Sequence, residues 1–228
     1  MMKHLIRVFL VVFSCVGLHA ETAYRIQSAK CPQIQLHVIE FAPEENHGFA
    51  LVDVGGVKGR AFVSKQFDAS TDCLLVNGGY FDGLFRPVGY CQVGGVVLSG
   101  QDSDKLSGYL VISKAGELDL LWKERPGSDV GYDVLQAGPY VIDPGGKIGI
   151  RSRAGTAAKR TLIGKKQDGS ILVITTTPVF LDQLATILKE ELEGIERVLN
   201  LDGGPSTGLR YGEVHIENVN PVRNFLRK

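Results

Sequence analysis

Asp202 stands at the end of an apolar run and is followed by Gly203-Gly204, Pro205 and the hydroxyls of Ser206 and Thr207, in the stretch Leu199 to Gly208, LNLDGGPSTG. A carboxylate, bare backbone amides and two hydroxyls at a strand end form a set that can orient and attack a polar ligand. Paired glycines permit positive φ and close approach of another group. The plainer reading, a hairpin turn capped by Asp202, remains open on this stretch alone.

Three further polar clusters interrupt apolar runs. Asn77-Gly78-Gly79-Tyr80-Phe81 follows Cys73-Leu74-Leu75-Val76. Gln136-Ala137-Gly138-Pro139 precedes Tyr140-Val141-Ile142, and Arg160-Thr161 heads Leu162-Ile163-Gly164. Taken singly, these are a tight turn, a loop and a solvated cation. Together they supply amides, a fixed cation, a carboxylate and glycine-lined backbone, which suits an anionic, polyhydroxylated ligand. Arginine grips phosphate oxygens bidentately, and amides in a glycine turn can hold others.

NGGYF, QAGP, RTLIG, LNLDGGPST and the closing PVRN (Pro221 to Asn224) follow one another in an order that resembles the phosphodiester glycosidase family, from about Cys73 to the C-terminus. The resemblance implies a glycosidase that hydrolyses the C1–O bond of a sugar 1-phosphodiester such as a GlcNAc-1-phosphodiester. Asp202 would act at the anomeric carbon, directly or through water, and Arg160 would hold the phosphate. Asp82 is the nearest motif carboxylate for a second acid–base role. Asn77 and Asn200 would bind sugar hydroxyls, and Tyr80 or Phe81 would stack on the ring. Ser206, Thr207 and the Gly203 and Gly204 amides would contact phosphate. Gly78, Gly79, Gln136, Gly138, Thr161, Arg223 and Asn224 complete the expected substrate-binding set. Two positions depart from the family pattern. Pro205 stands where a third glycine is common, which removes a backbone donor, and Leu162 stands where a small residue is usual.

Two other classes compete. Gly204-Pro205-Ser206-Thr207-Gly208 formally fits the serine-hydrolase GxSxG, but that motif needs a strand–turn–helix elbow with an acid and then a histidine downstream. Here Leu209 to Val214 reads as strand, and Glu213 and His215 lie close together. A non-catalytic binding protein for envelope glycans would use the same clusters without cleavage.

The elements that must position these groups are mainly strands. Tyr24 to Asp53 alternates apolar and polar residues, and Val93 to Leu98, Tyr109 to Ser113 and Leu118 to Trp122 continue the strand pattern. Thr161–Gly164 and Ile171–Thr175 read as a pair joined through Asp168-Gly169. Ala61 to Asp68 suits a short helix. The main helix is expected over 178–193: Thr177 as cap, Pro178 in the first turn, an apolar stripe of Leu181, Leu184, Ala185, Leu188 and Leu192, and Gly194 as the stop. One α+β domain of mixed or antiparallel twisted sheets follows, spanning 21–228.

Composition bounds the rest. With 25 basic and 25 acidic residues the chain has no broad basic field for nucleic acid. The N-terminus carries Lys3 and Arg7 and an almost wholly apolar run, Leu5 to Gly17, followed by Leu18-His19-Ala20. That is the layout of an export signal ending at residue 20, with a periplasmic or secreted destination. A lipoprotein anchored through Cys15 is the minor alternative. Removal of residues 1–20 leaves 23 basic against 25 acidic residues, and no later stretch is apolar enough to span a bilayer. Cys31, Cys73 and Cys91 then remain. A Cys73–Cys91 disulfide would staple the loop beginning at Asn77, although buried thiols would serve equally as small hydrophobes. No metal-ligand spacing occurs, so no metal or cofactor is expected. The protein is expected to act as a monomer on a sugar phosphodiester or envelope glycan.

Overall fold

The computed structural model describes residues 22–55, 61–127, 133–153 and 155–228. In chain order the strands are β1 (Thr22–Gln27), β2 (Gln35–Phe41), β3 (Ala50–Asp53), β4 (Leu74–Asn77), β5 (Cys91–Val93), β6 (Val96–Ser99), β7 (Gly108–Ile112), β8 (Leu118–Trp122) and β9 (Asp133–Ala137). They continue with β10 (Tyr140–Asp143), β11 (Lys147–Ile148), β12 (Thr161–Lys166), β13 (Ile171–Thr176), β14 (Ile195–Asn200), β15 (Leu209–Tyr211), β16 (Val214–Ile216) and β17 (Asn224–Arg227). The two α-helices are α1 (Val63–Gln66) and α2 (Leu181–Glu191).

A seven-stranded sheet, β1-β2-β13-β12-β14-β10-β11, is the central layer, and two five-stranded sheets, β16-β15-β4-β17-β3 and β6-β5-β9-β7-β8, complete the fold. Pairing is antiparallel, as in β12 with β13 and β14. The central strands are apolar on both faces because both are covered. Leu162, Leu172, Ile174 and Val198 pack with Leu184, Ala185 and Leu188 of α2. On the opposite face Ile163, Ile171, Val173 and Leu199 meet Leu74, Val76 and Leu226 of the second sheet and Leu110, Leu120 and Leu135 of the third. A fully buried leucine of this kind contributes roughly 2 kcal/mol. Continuous apolar runs at β12 and β13 are what a sheet covered on both sides requires.

The main helix starts later than the sequence pattern predicts. Thr177 accepts the Gln35 N–H at 2.9 Å and donates to the Gln33 carbonyl, so it fastens β2 instead of capping a helix. Val179 forms a bridge with Ala158, which keeps the chain extended until Phe180. Tertiary pairing overrides the local start signal. Leu209 to Val214 is a β15–β16 hairpin turning at Gly212, and β17 inserts between β4 and β3.

The expected cysteine bridge is not formed. Cys91 is fully buried among core residues beside Leu135, whereas Cys73 is exposed at the start of β4, and no disulfide joins them among the described residues. Burial pushes the Cys91 thiol pKa up to about 12, consistent with a packing role. No helix among the described residues is long and apolar enough to cross a membrane.

One buried side chain fastens the second sheet to the first. Asn77, at the end of β4, accepts the Thr161 hydroxyl at 2.7 Å and the Gly208 N–H at 3.1 Å through Oδ1, and donates through Nδ2 to the Asp202 carbonyl at 2.8 Å. Asn77→Ala would leave a hydroxyl, an N–H and a carbonyl without that partner in a dry interior. We expect a loss of about 2 kcal/mol or more, measured by urea unfolding. A loss below about 0.5 kcal/mol would show that the tie is dispensable.

Candidate active site

The polar clusters converge where strand ends from all three sheets meet. Asn77 ends β4, Asn224 begins β17, Asn200 ends β14, Thr161 begins β12, and Gly138 follows β9. Asp202 is clamped by its backbone: its N–H donates to the Gly78 carbonyl at 3.1 Å and its carbonyl accepts from Asn77. Its carboxylate accepts the Gly203 N–H at 2.8 Å and a hydrogen bond from Ser206. Burial nevertheless raises its pKa above the ordinary 3.8, outweighing those two hydrogen bonds.

Arg160 reaches this place by a backbone contact. A Cβ on Gly203 would lie 2.7 Å from the Lys159 carbonyl, so only glycine lets the Asp202 turn rest on the chain entering β12. Thr176 fixes the Arg160 backbone, its Oγ1 accepting the Arg160 N–H at 3.1 Å. The guanidinium donates from Nε to Val179 O and from Nη2 to Thr156 O. Among the described residues it has no carboxylate partner, and Nη1 has no protein acceptor. Burial lowers its pKa, so it is a half-desolvated cation.

Tyr80 feels the charge of both. Its hydroxyl donates to Gly138 O at 2.8 Å and accepts from Asn200 Nδ2 at 2.6 Å. Burial, with the Asp202 charge second, pushes the phenol pKa up and keeps it neutral; Arg160 acts in the opposite direction. Tyr80 thus lies within electrostatic reach of both groups. Asn200 Oδ1 and Asn224 Nδ2 are buried polar atoms without a partner among the described residues, one acceptor and one donor at the base of the same junction.

Several expected contacts are placed differently. Every polar atom of the Asn77 side chain is engaged within the protein, and Thr161 is fully buried against it. The turn amides are also spent: Gly203 N–H on Asp202, Gly204 N–H on Lys159 O at 2.8 Å, Ser206 N–H on Gly203 O and Thr207 N–H on Gly204 O. Gly204–Ser206 is one turn of 3-10 helix with Pro205 in its first turn, where proline is tolerated. That turn leads into a strand, so the serine-hydrolase elbow is absent. Asp82 is held by Leu84 and Arg86 amides and paired with the Arg86 guanidinium at 2.7 Å. These contacts, the Arg86 amide first, lower its pKa, which suits a loop brace and not a proton donor.

Gln136 spends its amide on Tyr90, Ser103 and Leu106 backbone, and Arg223 is paired with Asp53 at 2.9 Å and bonded to Phe85 O. Phe81 packs edge-on against Phe85 at 5.1 Å between ring centroids. Gly78 and Gly79 are packing positions: a Cβ would sit 2.0 Å from Asn224 Oδ1 and 2.8 Å from a Leu135 methyl, respectively. Thr176 is a positioning residue that the motifs miss; the Thr175-Thr176-Thr177 run ending a strand beside Arg160 is its sequence signal. Among the described residues no group of three or more histidine, cysteine or acidic side chains is gathered as a metal site.

Known proteins share the family pattern and the fold. The model of the phosphodiester glycosidase (NAGPA) family matches residues 72–227. The fold is similar to the catalytic domain of zebrafish N-acetylglucosamine-1-phosphodiester α-N-acetylglucosaminidase, solved auto-inhibited by its pro-peptide. That match has TM-score 0.63 and 17% identity, covering 91% of this chain and 81% of that one. A hypothetical protein from Synechocystis matches at TM-score 0.55 and 13% identity, over 90% of this chain and 63% of that one. A putative exported protein from Burkholderia pseudomallei matches at TM-score 0.55 and 12% identity, over 85% and 73%. No curated protein matches the chain in sequence.

The raised Asp202 pKa carries a stability sign. Its folded pKa lies above its unfolded one, so its contribution is present at low pH and lost as pH rises through the folded value. Asp202→Asn removes the half-buried charge while keeping an acceptor for Gly203 and Ser206. The variant is expected to melt higher than the parent at neutral pH and to lose that advantage at about pH 3, below the ordinary carboxylate range. A lower melting temperature at neutral pH would contradict the assignment of desolvation as the dominant effect.

Proposed function

The chain belongs to the phosphodiester glycosidase family, and on that premise we propose that it is an exported hydrolase that cleaves the sugar C1–O bond of a sugar 1-phosphodiester. The observation that supports this most is Arg160, a half-buried cation without a carboxylate partner among the described residues, lying with the half-buried Asp202 carboxylate within electrostatic reach of Tyr80. Arg160 Nη1 receives a phosphate oxygen, and the guanidinium offsets the charge that grows on the bridging oxygen as the C1–O bond breaks. The leaving group is a phosphate monoester, a weak base, so strong general-acid assistance is not required. This fits a site whose other motif carboxylate, Asp82, is locked in its loop.

Asp202 faces the anomeric carbon, as nucleophile or as the base for water, the two roles a glycosidase carboxylate takes. Asn200 Oδ1 and Asn224 Nδ2 take sugar hydroxyls, which supply the partners those buried atoms otherwise lack. The Tyr80 hydroxyl and Asn77 are positioning residues. The zebrafish relative is named for release of N-acetylglucosamine from a 1-phosphodiester, and a GlcNAc-like sugar is the substrate proposed here.

Hydrolysis in 18O-water tests the bond. The label is expected in the sugar, with the phosphate monoester unlabelled; label on phosphorus, or saturable binding without turnover, would overturn the proposal. Asp202→Asn and Arg160→Gln are each expected to lower kcat/KM about a hundredfold or more. Because Asp202 acts ionised, activity should rise with pH through a midpoint above the ordinary 3.8. An acid limb surviving in Asp202→Asn would assign it to another group.

A further inference from the structure

From Pro144 to Lys166 the chain has seven lysines and arginines and no acidic residue, within a protein of 25 charges of each sign. Two of the seven are spent locally: Lys165 pairs with Asp119 at 2.8 Å and Lys166 with Glu40 at 2.6 Å. The other five are Lys147, Arg151, Arg153, Lys159 and Arg160. Asp143 lies in electrostatic range of Arg151 and Lys147, and Asp182 is 3.8 Å from Arg153. Five cations therefore meet two carboxylates.

Topology sets where this segment runs. β12, β14, β10 and β11 are neighbours in that order. The Ile142↔Ile148 register turns β11 back toward Tyr140, and Gly149 N–H bonds to Val141 O at 3.0 Å. The chain thus leaves β11 at the end of the sheet that holds Gly138 and Asp202. To enter β12 at Thr161 it must pass the same ends of β10 and β14. It does so on the α2 side, where Ala158 bridges Val179 and the Arg153 guanidinium lies 4.5 Å over the Phe180 ring. It finishes against the active-site turn, with Lys159 O bound to Gly204 N–H. Lys147, Arg151 and Arg153 are exposed.

We infer that this segment is an extended anion subsite along one rim of the active site, and that the substrate is a glycan with several phosphodiester links in series rather than a single small diester. The inference rests on the proposed hydrolysis for its substrate class. The scissile phosphate sits on Arg160, and neighbouring phosphates of the same polymer follow the rim past Lys159 to Arg153 and Arg151. Arginine suits this because its fork binds phosphate oxygens in pairs. Cations lining one side of a cleft also raise the local concentration of an anionic polymer.

The test is calorimetric binding to Asp202→Asn, using a sugar 1-phosphodiester with one phosphate and an oligomer of the same unit with about five phosphodiester links. At about 50 mM salt the oligomer is expected to bind roughly tenfold tighter per molecule than the single diester, and at about 500 mM the gap should close. Adding Arg151→Gln and Arg153→Gln should also close it while leaving single-diester binding unchanged. Arg151→Gln alone, at a fully surface position, should move it part of the way. Equal binding of the two compounds, no oligomer binding, or a gap that survives the double substitution would overturn the inference. So would anionic phospholipid vesicles that bind with the same dependence on Arg151 and Arg153 while the oligomer does not. Turnover of the single diester with no binding gap sinks this inference alone. A binding gap with no turnover of either compound sinks the proposed hydrolysis and leaves the subsite standing.

Discussion

The two backbone hydrogen bonds of Asp202, to Asn77 Nδ2 and Gly78 O, are the constraint on which this molecule turns. A carboxylate can act on a bound ligand only if its own main chain is fixed, and here the main chain is held by a strand of a different sheet. The same Asn77 side chain takes Thr161 of β12 and Gly208 before β15, so one buried amide joins β4, β12, the turn after β14 and β15. Removing water from such a node makes each bond stronger and each vacancy costlier. The glycines serve that contact: Gly78 makes room for Asn224, and Gly203 for Lys159 and Arg160. The chemistry of the site is therefore inseparable from the docking of its sheets.

Electrostatically the site is unfinished as it stands. Asp202 is desolvated with its pKa raised, Arg160 is desolvated with its pKa lowered, and no ion pair joins them among the described residues. A fold selected for stability alone would pair or expose such groups. A neutral Tyr80 lies within electrostatic reach of both, and the proposed ligand would bring a negative group to Arg160 and an electrophilic centre to Asp202. The two unpartnered buried atoms on Asn200 and Asn224 belong to the same logic.

Much of this was legible in the residues. Asp202, Arg160 and Asn77 each end or begin an apolar run, and in a sheet protein strand ends from distant segments can share a rim. The β12–β13 pair reads directly from two apolar runs around Asp168-Gly169. What was not legible depends on long-range pairing. Thr177 looks like a helix cap, but the Gln35 amide competes for its hydroxyl. Asn77 looks like a ligand contact, yet its polar atoms are consumed in joining sheets. The Gly203 and Gly204 amides look free in sequence and are taken by Asp202 and by a carbonyl from residue 159, a partner no local pattern reveals. Cys73 and Cys91 bracket a loop, but one faces solvent and the other the core. Local propensity finds which residues are special, and tertiary contacts decide whether they serve the ligand or the scaffold.

The most direct test is a crystal structure of the Asp202→Asn protein with an uncleaved sugar 1-phosphodiester bound. The phosphate is expected on Arg160, the anomeric carbon beside residue 202, and sugar hydroxyls on Asn200 and Asn224. A ligand seated elsewhere, or one whose phosphate avoids Arg160, would contradict it.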